Sequence, residues 1–222
     1  MLTLPEQLLL LALHDQKGTI LSSASISIEY GLAGAVLTEL ALRQRAEIRD
    51  KKLVLIDTSS TGDEVLDEAI THIKSSAKLR KADYWVNKLT GKKMKIKQAM
   101  LERLVKKGIL KIDEHRILWL FDSPHYPTRD FSEEKAIREQ LRRLVLRGDE
   151  ADTRTVVLMG LVNACGLTGE IFTKPERKEV KKRIKEIMQN DQIAKAVAET
   201  VAGVQASVVA VVFAGSAAGG AN

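Results

Sequence analysis

Lysines at positions 92, 93, 95 and 97, with no acidic residue among them, are the side chains whose type and spacing suggest a chemistry, the capture of an anion. Lys97 is the most informative of them. On a helical wheel it falls on the same stripe as Met100, Leu101 and Leu104, and a cation there must snorkel, pair or line a pocket. Two readings stay open. In one, the helix begins after Lys97 and the side chain points to water, as a lysine run on a solvated face does. In the other, Lys97 faces an anion at the helix start, where unpaired N–H groups and the positive dipole end already favour phosphate. Lys92, Lys93 and Lys95 would then add to the field.

Other chemistries find little support. His14, His72, His115 and His125 are scattered without metal-ligand spacing. No glycine-rich phosphate loop, nucleophile elbow or Cys/His pairing stands out. Asp63, Asp67 and Glu68 are explained by the start of a helix, and Cys165 sits in an apolar run where it reads as core. The sequence therefore predicts no catalytic residue, no metal, no cofactor and no enzymatic activity.

The lysines belong to a stretch, Lys92 to Phe121, around which the chain is organised. Ile96, Met100 and Leu104 recur every four residues, with Leu101 and Val105 beside them, which predicts a helix with one apolar face. Gly108 is placed to end it. Two short strands follow, Ile109–Asp113 and Arg116–Phe121, joined by the polar turn Asp113-Glu114-His115. The second strand contains Ile117, Leu118 and Trp119, too apolar for one wet face. Either both of its faces are covered, or this hairpin contacts a membrane interface or a partner, where Trp is favoured. From Lys78 to Lys111 there are twelve Lys/Arg and two Asp/Glu, whereas the whole chain is only +6. A local basic field beside an apolar hairpin matches an anionic membrane surface.

The rest of the chain supplies a scaffold. Its 222 residues, 45% hydrophobic and 29% charged, suffice for one sizeable core. A single cysteine excludes a disulfide framework and fits a reducing, cytosolic compartment. Helices are expected from Thr3 to about Asp15, from Glu29 to Arg43, over Asp63–Ser75 and Ala82–Thr90, from Ser132 as cap to Arg147, over Thr153–Cys165 and from Lys174 or Pro175 to Met188. Gly31 and Gly34 on the second helix predict close backbone approach. Ala46–Asp57 reads as a β-hairpin, so a helix-then-hairpin unit occurs twice. Ser123–Pro127 reads as an extended loop. Val201–Ala218 carries no charge and reads as a buried C-terminal helix, with a tail anchor or an interfacial segment as alternatives. No leader opens the sequence. The expected fold is mainly α, a single globular multi-helix domain over 1–222 with short β-hairpins, one of them apolar and protruding.

Six stretches, taken in order, resemble the Golgi phosphoprotein 3 family of peripheral membrane proteins that bind phosphatidylinositol 4-phosphate. They are Leu2–Glu6 leading into Leu8–Leu11, Gly31-Leu32-Ala33-Gly34, Thr38–Arg43, Thr61-Gly62-Asp63 with Leu66–Ala69, Trp85 through Leu89-Thr90-Gly91, and Leu104–Leu110. The likeness covers roughly the whole chain, more loosely after Pro127. It implies a mainly helical domain with a flat basic face, a headgroup pocket on that face, and an apolar hairpin beside it, Ile112 to Phe121 here, serving membrane contact and self-association. The family's pocket uses a Trp in the loop after the first helix, an Arg in the Gly-Leu-x-Gly motif, and two basic residues before the hairpin. Here the 19–30 loop has no Trp and the Arg position is Ala33. The two basic positions fall on Lys97 and on Met94 or, with a small shift, Lys95. The chain starts almost directly at its first helix, as a short, prokaryotic-type member without a long N-terminal arm.

The function expected from these readings is non-enzymatic and peripheral. The chain would bind anionic phospholipid with a phosphatidylinositol 4-phosphate-like headgroup through Lys93, Lys95 and Lys97. Ile117, Leu118 and Trp119 would touch the membrane, and homo-oligomers would form through the 112–121 hairpin. Two alternatives stand beside it. One is a winged-helix-like nucleic-acid binder, disfavoured by the acidic Asp113-Glu114 tip. The other is a protein–protein adaptor that self-associates through the hairpin.

Overall fold

Residues Leu4–Leu11 are buried all round and form the first helix, α1, against which the domain is built. Its start is set locally: Pro5 sits in the first turn, and the Thr3 N–H donates to Glu6 Oε2 at 2.7 Å. The helix ends at Leu11 rather than near Asp15, because Leu13 pairs with Ile20 and the Gly18 N–H turns back onto the His14 carbonyl. The computed structural model describes residues 1–90, 94–113, 124–150, 152–189 and 199–218.

Helix α2, Ile28–Leu42, is the hub. It packs against α1 and against α3 (Glu64–Lys74), α4 (Ala82–Leu89), α5 (Ile96–Lys106), α7 (Thr153–Ala164) and α10 (Glu199–Ala218). Two glycines permit this crowding. A Cβ on Gly31 would lie 2.2 Å from Cys165 Sγ, and one on Gly34 would lie 2.1 Å from Val208 Cγ2. The close approach read from these glycines is therefore present, to α10 and to the end of α7. Helices α6 (Ser132–Arg142), α8 (Thr168–Ile171) and α9 (Arg177–Gln189) complete the set. One apolar cluster runs from Leu2 to Val211, so the chain is mainly α with a single continuous core.

The C-terminal segment docks on this core. Val204, Val208 and Val211 of α10 are buried, and the helix packs on α2, α4 and α7. Among the described residues no helix is long and apolar enough to cross a membrane.

Strands β1 (Ala46–Arg49) and β2 (Lys52–Leu55) form an antiparallel hairpin in the expected place. Its two turn residues, Asp50 and Lys51, both take positive φ, the geometry that matches strand twist. The second helix-then-strand unit is different. Leu110 bridges Thr128 and Asp113 bridges His125. The stretch read as a proline-fixed loop is thus the pairing partner of the first strand. It also ties back to the loop after α1, through Tyr126 N–H to the Gly18 carbonyl and Thr128 N–H to the Asp15 carbonyl. The strand expected over Arg116–Phe121 lies outside the described residues, and with it Ile117, Leu118 and Trp119. Ser132 is not the cap of α6. Phe131 holds that position, and Asp130 Oδ1 accepts the Ser132 N–H at 2.9 Å. From Arg143 to Arg147 the helix widens to a π turn that ends at Gly148.

Candidate functional site

The candidate anion-binding face sits where the N-terminal ends of α2 and α5 meet. Met94 is uncharged and buried, so of the two alignments for the second basic position only Lys95 offers a cation to solvent. Lys95 is exposed and caps the helix with left-handed backbone, φ 43° and ψ 36°, an arrangement that costs about 1–2 kcal/mol for a residue with a Cβ. The helix begins at Ile96, which makes Lys97 the second helical residue. A cation there opposes the helix dipole unless an anion lies close. Glu29 supplies that anion. Its Oε1 is 2.6 Å from Lys97 Nζ, and the side chains are 42% and 40% exposed respectively. Glu29 itself lies in the first turn of α2, where the dipole favours it.

Lys97 is therefore neither free in water nor open to an incoming anion without competition. A phosphate arriving at the start of α5 would exchange with Glu29 for the same ammonium. That exchange is inexpensive, since an exposed ion pair contributes at most about 1 kcal/mol. Sequence reasoning missed Glu29 because it lies far away in the chain and nothing in its spacing points to Lys97. Lys93 lies outside the described residues. Ala33 is fully buried and presents only a methyl group on α2. In the loop before α2, Ile26 is a large apolar side chain open to solvent.

A sizeable cavity lies elsewhere. It has about 510 Å³ and is lined by Phe131, Glu134, Arg138, Arg142, Arg143 and Leu146, among others. Its best-placed charges are tied up within the fold. Arg138 Nε donates to Glu134 Oε1 at 2.7 Å, and Arg142 Nη2 donates to Glu176 Oε1 at 2.7 Å. Burial pushes the Glu134 carboxyl up despite Arg138, while the hydrogen bond from Arg142 brings Glu176 down to about 2. None of the site residues read from the sequence lines it. Of the acidic cluster, Asp63 is the cap of α3, whereas Asp67 ties down the preceding loop by accepting from Ser60 and Thr61, and Glu68 faces His72. Asp63 Oδ1 accepts from the N–H groups of Val65 and Leu66, and both its oxygens receive the Arg103 guanidinium at 2.7 and 2.8 Å. Cys165 is buried and its thiol is pushed up to about 12 by burial, which removes it as a nucleophile.

A sequence profile described as Golgi phosphoprotein 3 (GPP34) matches residues 4–204. The chain belongs to the Golgi phosphoprotein 3 family. Among its relatives is vacuolar protein sorting-associated protein 74 of Eremothecium gossypii, 32% identical over 161 residues that make up 63% of this chain and 48% of that protein. The protein of the same name in Schizosaccharomyces pombe is 35% identical over 161 residues, 63% of this chain and 47% of its own. The chain spans about half the length of the relatives it matches. The six stretches that carry the resemblance lie within the matched residues, apart from Leu2-Thr3 at its edge, and as a Golgi phosphoprotein 3 domain the chain places Lys95 and Lys97 at the head of α5.

Proposed function

We propose that this Golgi phosphoprotein 3 domain is a non-enzymatic peripheral membrane protein that binds anionic phospholipid, with a phosphatidylinositol 4-phosphate-like headgroup held at the start of α5. The observation that carries the reading is the pair Lys95 and Lys97. They stand at the positive end of one helix, one exposed and one half-exposed, in a family member. Lys93 adds charge just before them, and Ile117, Leu118 and Trp119 form the apolar contact with the interface. The partner is an anionic membrane lipid. The stretch 112–121 serves self-association, and the setting is cytoplasmic with peripheral attachment. The relatives' names, which refer to vacuolar protein sorting, support a role as a trafficking adaptor.

Each basic residue close to an anionic surface contributes roughly 1 kcal/mol. Lys95→Ala/Lys97→Ala should therefore weaken binding to vesicles containing phosphatidylinositol 4-phosphate about thirtyfold at low salt. Flotation with neutral vesicles, generic anionic vesicles and charge-matched phosphoinositide vesicles reads this out. A preference for the phosphoinositide that the double variant loses supports headgroup recognition. Equal binding to all anionic vesicles leaves only charge attraction. No binding to any vesicle removes the membrane reading.

A further inference from the structure

Two basic runs that are far apart in the chain, Lys51-Lys52 and Lys78–Lys81, become neighbours in the fold. The Leu53 N–H donates to the Arg80 carbonyl at 2.8 Å, and the two residues form an antiparallel bridge. Leu53 is buried, and side chains alternate along a strand, so Lys52 points outward. One step along the opposite strand lies Lys81, also exposed. Lys51 projects from the hairpin turn and Lys78 from the far side of the bridge. Among the described residues none of these four lysines has an ion-pair partner. Three carboxylates lie close by in the chain. Glu47 pairs with Arg49, and Asp83 accepts the Tyr84 N–H at 2.8 Å, which leaves Asp50 in the turn. Like charges on facing strands destabilise a sheet, so this cluster weakens the isolated fold unless an outside anion meets it.

Apolar groups stand among the cations. Leu79 is 60% exposed between Lys78 and Arg80. Tyr84 is 39% exposed, carries the Arg80 guanidinium 4.8 Å above its ring, and is held edge-on by the buried Trp85 at 5.1 Å. Lys88 follows Tyr84 by one turn on the outward side of α4. Helix α4, about 12 Å long, thus carries Tyr84 and Lys88 outward just after the cluster.

We infer that the Lys51–Lys52 turn, the Lys78–Lys81 segment and the outer side of α4 form a second membrane-contact surface, for anionic headgroups and the interfacial layer beneath them. This rests on the membrane reading of the α5 face. An exposed leucine amid lysines favours a bilayer over a nucleic acid, because a phosphate backbone gives the leucine nothing to contact.

The test measures sedimentation with phosphatidylcholine vesicles with and without phosphatidylserine, at low and high salt. It compares the wild type, Lys51→Gln/Lys52→Gln/Lys81→Gln, Leu79→Ser and Lys95→Gln/Lys97→Gln. All changes lie on exposed or half-exposed side chains, and thermal unfolding checks that each variant is folded. The triple variant should bind anionic vesicles roughly a hundredfold more weakly at low salt. Leu79→Ser should reduce chiefly the fraction that survives high salt. If the triple variant binds as the wild type while Lys95→Gln/Lys97→Gln does not, this second surface is wrong and the α5 reading stands. If the wild type binds no anionic vesicle, both fail. If the wild type ignores vesicles yet retards duplex DNA, and the triple variant does not, the patch belongs to nucleic acid and the inference is overturned.

Discussion

The two ends of α2 use glutamates in opposite ways. Near its C-terminal end, Glu39 is buried, with a side chain 2% exposed, and it collects four donors. The Leu4 N–H reaches Oε2 at 2.9 Å, Arg43 Nε reaches Oε1 at 3.0 Å, and Arg154 reaches Oε2 at 2.6 Å and Oε1 at 3.4 Å. Arg154 also donates to the Leu2 carbonyl at 3.2 Å, so one carboxylate joins the start of α1, α2 and α7. At the N-terminal end Glu29 pairs with Lys97, and both are half in water. The difference lies in the desolvation of the charge. A buried carboxylate must be saturated with donors and becomes part of the architecture. A wet one can exchange its partner, which suits a surface that meets ligands.

Three substitutions test this contrast. Glu39→Gln should be the most damaging, because it leaves two partly buried guanidinium groups beside a neutral amide at a buried position. A loss of about 3–5 kcal/mol in urea unfolding is expected. A loss below about 1 kcal/mol would mean that Glu39 is no more structural than Glu29.

Asp63→Asn should cost less, about 1–3 kcal/mol, through the weakened cap of α3 and the lost charge pair with Arg103. Burial works against the charged form of Asp63, yet the Arg103 guanidinium and the Leu66 and Val65 N–H groups hold its carboxyl below the ordinary 3.8. A lowered carboxyl contributes its stability above the unfolded value and loses it as pH falls through the folded one. Wild type and Asp63→Asn should thus differ fully at neutral pH and converge below about pH 4, as read from unfolding midpoints across pH.

Glu29→Gln should change stability by less than about 0.5 kcal/mol, as exposed pairs do. It should nevertheless tighten binding to anionic vesicles about fivefold, since Lys97 is released and a negative charge is removed from the face. Weaker binding would mean that Glu29 positions Lys97 instead of competing for it.

The repeated helix-then-hairpin pattern shows where sequence reasoning worked. Ala46–Leu55 was legible as a hairpin because the charged Asp50-Lys51-Lys52 separates two short runs, although Lys52 proves to be the first residue of the second strand, paired with Arg49, and the turn is Asp50-Lys51 alone. The second unit was legible only in its helix. Leu110 and Asp113 pair with Thr128 and His125, beyond a stretch of sequence that carries no signal of the pairing. The same limit applies to the candidate site. Its cations could be read from one short run, but Glu29, which neutralises Lys97, could not. Nor could the approach of Lys52 to Lys81.

By itself the sequence determined the helices, their apolar faces, the glycines that let α2 pack closely and the family. All of these follow from periodicities and residue types within one or two turns of chain, or from an ordered set of short motifs. Only the tertiary structure decided which charge meets which. Glu39 goes to Arg154, Asp63 to Arg103 and Glu29 to Lys97, and the lysines around the Leu53–Arg80 bridge are left unpaired among the described residues. The physical reason is range. Secondary structure is set by neighbours along the chain, whereas an ion pair forms within a few ångströms in space, and only the packing of the helices brings such groups together.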